Sequence, residues 1–247
     1  MIFAALNFEF MKKILILAFV CLGIIACEEG VSENTMVVSG NVKGLKKGKL
    51  YLQKLQDSVL IAVDSLEIAG DGNFSLRTEI ESPEIYYLYL DKKDNTDFND
   101  RVTFFGTAGT ITINTAWNTF QATATIDGSE SQKLYEIFQE NLSKFNKRSL
   151  EYIQASSAPE MQANKVAQDS LLELNSKNTL RAYLYALNFA LSNKQSYVAP
   201  YIALTEVPDA NVKYLDSIHN SLLPEVAESK YGMALKKHIT TIKAQQE

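Results

Sequence analysis

"QATATIDGSESQKLYEIFQENL", residues 121–142, changes its periodicity half way along and thereby divides the chain. "FQATATIDG", up to Gly128, reads as strand followed by turn. Ser129-Glu130-Ser131-Gln132 then fits a capping box, in which a serine side chain accepts from a backbone N–H three residues on. Behind it Leu134, Ile137, Phe138, Leu142 and Phe145 recur at helical spacing and form one apolar stripe. The expectation is an α+β chain, with an antiparallel β-sandwich or barrel-like domain over 36–128 and a helical region over 129–247 packed on it.

Upstream, "TMVVSGNVKGLKKGKLYLQKL" places Val37, Val42, Leu50 and Leu52 between Gly40, Gly44 and Gly48, a strand, turn, strand pattern. "LIAVDSLEIAGDGNFSLRTEI" repeats the theme, with Asp71-Gly72 as a hairpin turn signal. "EIYYLYL" and "VTFFGTAGTITINT" add strands rich in aromatic and β-branched side chains. In the former, Ile85, Tyr87 and Tyr89 share one face, and Tyr86, Leu88 and Leu90 the other.

Downstream, Ser157-Ala158-Pro159-Glu160 signals a new helix start. "NTLRAYLYALNFALSN" carries a stripe of Leu180, Tyr183, Leu184, Leu187 and Leu191. Further helices follow from Val212, Leu215, Ile218 and Leu222, and from Tyr231, Leu235, Ile239 and Ile242. No proline-rich or glycine/serine-rich linker separates the halves, so they are expected to pack as one unit.

The beginning of the chain reads as an address. Met11-Lys12-Lys13 is a basic start, with Met11 an alternative initiation site, and Ile14 to Ala26 is uninterrupted apolar sequence. That stretch matches the roughly 7–15 residues of a signal-peptide core and falls short of the roughly 20 needed to span a bilayer. Ile24-Ile25-Ala26-Cys27 resembles the bacterial lipobox, whose cysteine is acylated after cleavage. Residues 1–26 are therefore expected to be a signal peptide, Cys27 the lipidation site and 27–35 a polar tether; an ordinary secretory signal is the alternative. The implied place is the cell envelope, lipid-anchored at the outer membrane, with the side left open. Cys21 and Cys27 are the only cysteines, so the mature chain is expected to hold no free thiol and no disulfide.

Composition narrows the partners. The 247 residues are 46% hydrophobic and carry a formal net charge of −5. Lysine and arginine read as dispersed along an acidic chain, which argues against a surface that tracks nucleic-acid phosphates, so no nucleic-acid partner is expected.

"VVSGNVKGLKKGKLYL", "VDSLEIAGDGNFSL" with Pro83 after it, "FFGTAGTITI", "IDGSESQKLYEIF" and "LPEVAESKYGMALKKHI" occur in that order. Together they resemble the N-terminal domain-of-unknown-function module, family 4369, of envelope lipoproteins, over about residues 36–240. In those relatives a thioredoxin-like or peroxiredoxin-like domain with a redox thiol usually follows. The sequence in hand stops at Gln246-Glu247 before any such domain, so the redox activity is not carried over.

Other chemistry can be sought residue by residue. His219 and His238 are the only histidines and lack the spacing of a metal site. Asp91 to Arg101, "DKKDNTDFNDR", gathers carboxylates but departs from the EF-hand pattern, with Asp100 where glycine is needed, and reads as a solvated loop. Tyr87 and Tyr89, extended by Trp117 and Phe120, are candidates for an aromatic sugar platform, against cross-strand packing as the plainer reading. Asp64-Ser65 and Gly72-x-Phe74 read as turn and edge chemistry. No catalytic residue, cofactor or metal ligand is nominated, and Cys27 is the one site residue. The expected function is a non-catalytic envelope lipoprotein that binds or scaffolds a protein partner connected with thiol-redox chemistry. A lipoprotein binding a glycan or peptide, and less so a hydrolase, are the alternatives.

Overall fold

The computed structural model describes residues 34–92, 100–162 and 164–246. The expected signal peptide, Cys27, most of the expected tether and residues 93–99 lie outside the described residues. Residues 33–247 form one compact unit.

Eight strands run in chain order: β1 Thr35–Lys43, β2 Lys47–Gln56, β3 Val59–Ala69, β4 Asn73–Glu79, β5 Glu84–Asp91, β6 Arg101–Gly106, β7 Gly109–Ala116 and β8 Thr125–Asp127. They form two four-stranded sheets, β4-β1-β7-β8 and β3-β2-β5-β6, which face each other and do not close into a barrel. Between them lies an aliphatic and aromatic core that includes Val38, Leu52, Leu88, Phe104 and Ile111. Tyr86, Leu88 and Leu90 point into it, as the alternation requires.

Two details depart from the sequence expectation. The domain is not wholly antiparallel, because β1 and β7 pair in parallel, Val38 opposite Ile111. A parallel neighbour needs a crossover, and here strands of the second sheet supply it. Nor does Asp71-Gly72 close a hairpin within a sheet: it carries the chain from β3 to β4, which lie in different sheets. Its backbone is fastened instead to β1, since the Gly72 carbonyl accepts from the Val42 N–H at 2.8 Å. Gly72 has φ +80° and a Cβ there would meet the Val42 oxygen at 2.2 Å, so glycine is required. The tight hairpin turn is Asp57-Ser58, between β2 and β3, with φ of 47° and 67°.

The helices are α1 Glu130–Ser156, α2 Pro159–Gln162, α3 Lys165–Ser192, α4 Val198–Glu206, α5 Val212–Ser221, α6 Pro224–Ala227 and α7 Lys230–Gln246. Ser129 caps α1, its side chain accepting from the Gln132 N–H. Long helices α1 and α3 pair as a hairpin, with Asn178 Nδ2 donating to the Phe145 carbonyl at 2.8 Å and to Ser149 Oγ at 2.9 Å. The expected stripe on α3 holds in part: Leu187 is buried and Tyr183 and Leu191 pack against the core, but Leu180 and Leu184 are 57% and 46% exposed, and Ala186, Phe189 and Ala190 join Leu187 in the contact face. Within the described residues no helix is long and apolar enough to cross a membrane.

A second core lies between these helices and the outer face of the second sheet. Ile85 and Phe105 enter it from β5 and β6, and Tyr87 packs against it. Each of those strands therefore alternates between two cores, Tyr86 and Phe104 to the inner one and Ile85 and Phe105 to the outer.

Candidate functional site at the seam between sheet and helices

The densest charge and aromatic contacts meet where the helices cover β5 and β6. Glu84, the first residue of β5, is buried although charged. Such a carboxylate is tolerated only with cationic or hydrogen-bonding partners. Lys54 Nζ, from β2, stands 3.4 Å from Oε1, and Lys230 Nζ, from the start of α7, meets Oε2. Tyr86 Oη lies 3.5 Å from Oε1. Lys230 also donates from Nζ to the Leu55 carbonyl at 2.8 Å and from its backbone to Ser82 Oγ at 3.2 Å. A cleft of about 430 Å³ opens beside this group, bordered by Gln56, Glu81 and Glu228.

Beneath the charges, Phe105 is the hub of an aromatic cluster. Its ring centroid is 6.2 Å from that of Tyr135 on α1, 5.9 Å from that of Tyr201 on α4 and 6.2 Å from that of Tyr231 on α7. Tyr201 and Tyr231 approach each other to 5.0 Å. Burial pushes the phenols of Tyr135, Tyr201 and Tyr231 up, and Tyr86 is raised by burial and then by the Glu84 charge. Backbone groups are engaged as well. The Ile85 N–H donates to Tyr231 Oη at 3.1 Å, and the Phe105 N–H donates to Gln132 Oε1 at 2.7 Å. The expected capping-box glutamine thus turns away from the cap and binds the edge of β6. Lys54, Lys230, Tyr231 and Gln132 act as clamps. The charged and polar atoms of Lys230, Tyr231 and Gln132 hold the helices to the sheet, while Lys54 braces Glu84 from the neighbouring strand of the same sheet.

The sequence candidates fall elsewhere. Cys27 lies outside the described residues, as do residues 93–99 of the acidic stretch; of the residues flanking it, Asp100 is buried and paired with Lys92. His238 Nε2 lies 2.7 Å from the Pro208 carbonyl oxygen, and His219 Nε2 is buried without a hydrogen-bond partner. Among the described residues no group of three or more His, Cys, Asp or Glu side chains could hold a metal ion.

The aromatic platform does not assemble. Phe120 is in the sandwich core, Tyr87 is packed against the helices, and Trp117 sits at the end of β7 in the other sheet. Tyr89 pairs with Tyr51 at 6.0 Å, and Arg101 lies over both Tyr87 and Tyr89. Asp64 is edge chemistry as expected: its carboxylate accepts from the N–H groups of Ser65 and Arg77, each at 2.7 Å, and so ties β3 to β4. Sequence reasoning missed the seam because Glu84, Lys54 and Lys230 are each unremarkable as letters. Pro83 before β5 and the capping box were the only local signs of it.

Residues 36–135 match the family described as Domain of unknown function (DUF4369), as the sequence resemblance implies for this stretch. The match takes in the sandwich and the start of α1; "LPEVAESKYGMALKKHI" lies beyond it. Searches of the curated proteins and of the solved structures find no match.

Proposed function

We propose that this chain is a non-catalytic envelope lipoprotein, anchored in the outer membrane through an acylated Cys27, whose β-plus-helical body binds or positions a thiol-redox protein of the envelope. The observation that carries the reading is Ile24-Ile25-Ala26-Cys27, placed directly behind a basic start and an apolar stretch of signal-peptide length. The match of residues 36–135 to a domain of unknown function, together with the resemblance of the chain to modules that precede thioredoxin-like domains in envelope lipoproteins, supports the choice of partner class. The seam suits a positioning role, because Lys230, Tyr231 and Gln132 tie the helices to the sheet and so hold a bound partner against both layers.

The test is to express the full chain in a Gram-negative host with an alkyne palmitate analogue, beside Cys27→Ala, and to crosslink the labelled form. Label present in the wild type, lost in the variant, and crosslinked to a thiol-redox protein is the expected result. An unlabelled, freely soluble periplasmic wild type would overturn it.

A further inference from the structure

"KGLKKGK", residues 43–49, forms the turn between β1 and β2, and the fold fixes how its lysines are displayed. Leu45 is buried and its N–H donates to the Val42 carbonyl at 3.1 Å, while the Lys46 carbonyl accepts from the Gly70 N–H at 3.1 Å. With the backbone held from both sides, Lys43, Lys46 and Lys47 project into solvent. Among the described residues none of these three has a carboxylate within ion-pair distance. Lys49 differs, since Glu67 and Asp91 stand opposite it on the neighbouring strands. An open cleft of about 510 Å³ lies alongside the turn.

The parallel pairing of β1 with β7 brings Trp117 to the same pole. Its backbone N–H donates to the Lys43 carbonyl at 3.1 Å, and its indole lies against Gly44, where a Cβ would come within 2.7 Å of the ring. Trp117, the only tryptophan in the chain, is 47% exposed. Lys92 Nζ lies 5.9 Å from its ring centroid but is paired with Asp100. The pole therefore combines three unanswered cations with one exposed amphipathic aromatic ring, on a chain whose overall charge is −5.

We propose that this pole docks on an anionic lipid bilayer, with Trp117 at headgroup level and Lys43, Lys46 and Lys47 against the lipid phosphates. Tryptophan favours the membrane–water interface because its ring has an apolar body and a polar N–H. Lysines near an anionic leaflet are attracted over a Debye length, about 10 Å at 0.1 M salt, so the bilayer feels chiefly this pole, where Glu67 and Asp91 stand opposite Lys49 and leave Lys43, Lys46 and Lys47 to the phosphates. Nucleic acid is a poorer fit, because three lysines fall short of the roughly 6–10 phosphate contacts of a strong binder. The surface is defined by residues 43–117 alone and needs no acyl group on Cys27.

Because Trp117 is the sole indole, its emission reads the docking directly. The full chain is reconstituted into vesicles containing phosphatidylglycerol and, separately, into neutral phosphatidylcholine vesicles, with folding followed by circular dichroism. The expected result is a blue shift and quenching by brominated lipid in the anionic vesicles only. High salt, and the triple substitution Lys43→Glu, Lys46→Glu, Lys47→Glu in a folded protein, should abolish both. Identical emission in the two vesicle types, or a shift produced by soluble polyglutamate and not by anionic vesicles, would overturn the proposal. Acylation is read separately by the Cys27 label, so either idea can fail without the other.

Discussion

The two cores of this protein share two strands but are built on different terms. The sandwich core is closed by the sheets themselves: Leu50, Leu52, Leu88 and Leu90 of one sheet meet Val38, Leu76, Ile111 and Ile113 of the other, each supplied by simple alternation. The helical core is incomplete without the sheet, because its aromatic hub, Phe105, comes from β6. Dependence therefore runs one way. The sandwich could lose its helices and keep its interior, whereas the helices without Phe105 and Ile85 would surround a gap.

The largest blow to that arrangement is Phe105→Ala. Removing the buried ring should cost about 3–5 kcal/mol, measured by urea denaturation, and the helices should then melt before the sandwich. Glu84→Gln comes next. It leaves Lys54 and Lys230 without their carboxylate, and because the Lys230 side chain is 41% exposed the loss should be about 2–3 kcal/mol, below that of a fully buried pair. A result under about 0.5 kcal/mol would mean that the seam owes little to its ion pairs.

Alkaline pH probes the same interface without substitution. Burial holds the phenols of Tyr86, Tyr201 and Tyr231 above their ordinary range. Below about pH 10 folded and unfolded chains both keep these protons. Above it the unfolded chain releases them and the folded chain does not, so stability falls as pH rises. At pH 10 the three together should cost about 1 kcal/mol, and ultraviolet titration should show these phenols ionising only with unfolding. The smallest effect is expected outside both cores: Leu180→Gln and Leu184→Gln should each change stability by about 0.5 kcal/mol or less.

The contrast between the cores also explains what the sequence disclosed. Alternation separated Tyr86, Leu88 and Leu90 from Ile85, Tyr87 and Tyr89 correctly, since a strand has two faces and the two differ in hydropathy only by position. Ser129 marked the start of α1 for an equally local reason, the hydrogen bond to Gln132. Helix α4 escaped notice because Val198, Ala199, Pro200, Ile202 and Ala203 are all buried, which leaves no polar face to reveal a period. On α3 the leucines drew attention, and Leu187 and Leu191 do reach the core, yet Ala186 and Ala190 share that contact unannounced; small residues let a neighbouring helix approach but carry little hydrophobic signal. Glu84 with Lys230, and Lys43 with Trp117, are joined only by tertiary structure, and no spacing rule reaches across such separations.

One measurement tests most directly whether sheet and helices act as one body. Urea unfolding of the wild-type chain should be followed by Trp117 fluorescence, which reports the β half, and by ellipticity at 222 nm, which is dominated by the helices. The clamps at Glu84, Phe105 and Tyr231 predict coincident midpoints and slopes, with separation appearing only in Phe105→Ala. Two resolved transitions in the wild type would contradict the account, and would make the chain a pair of independent domains instead of a single rigid body.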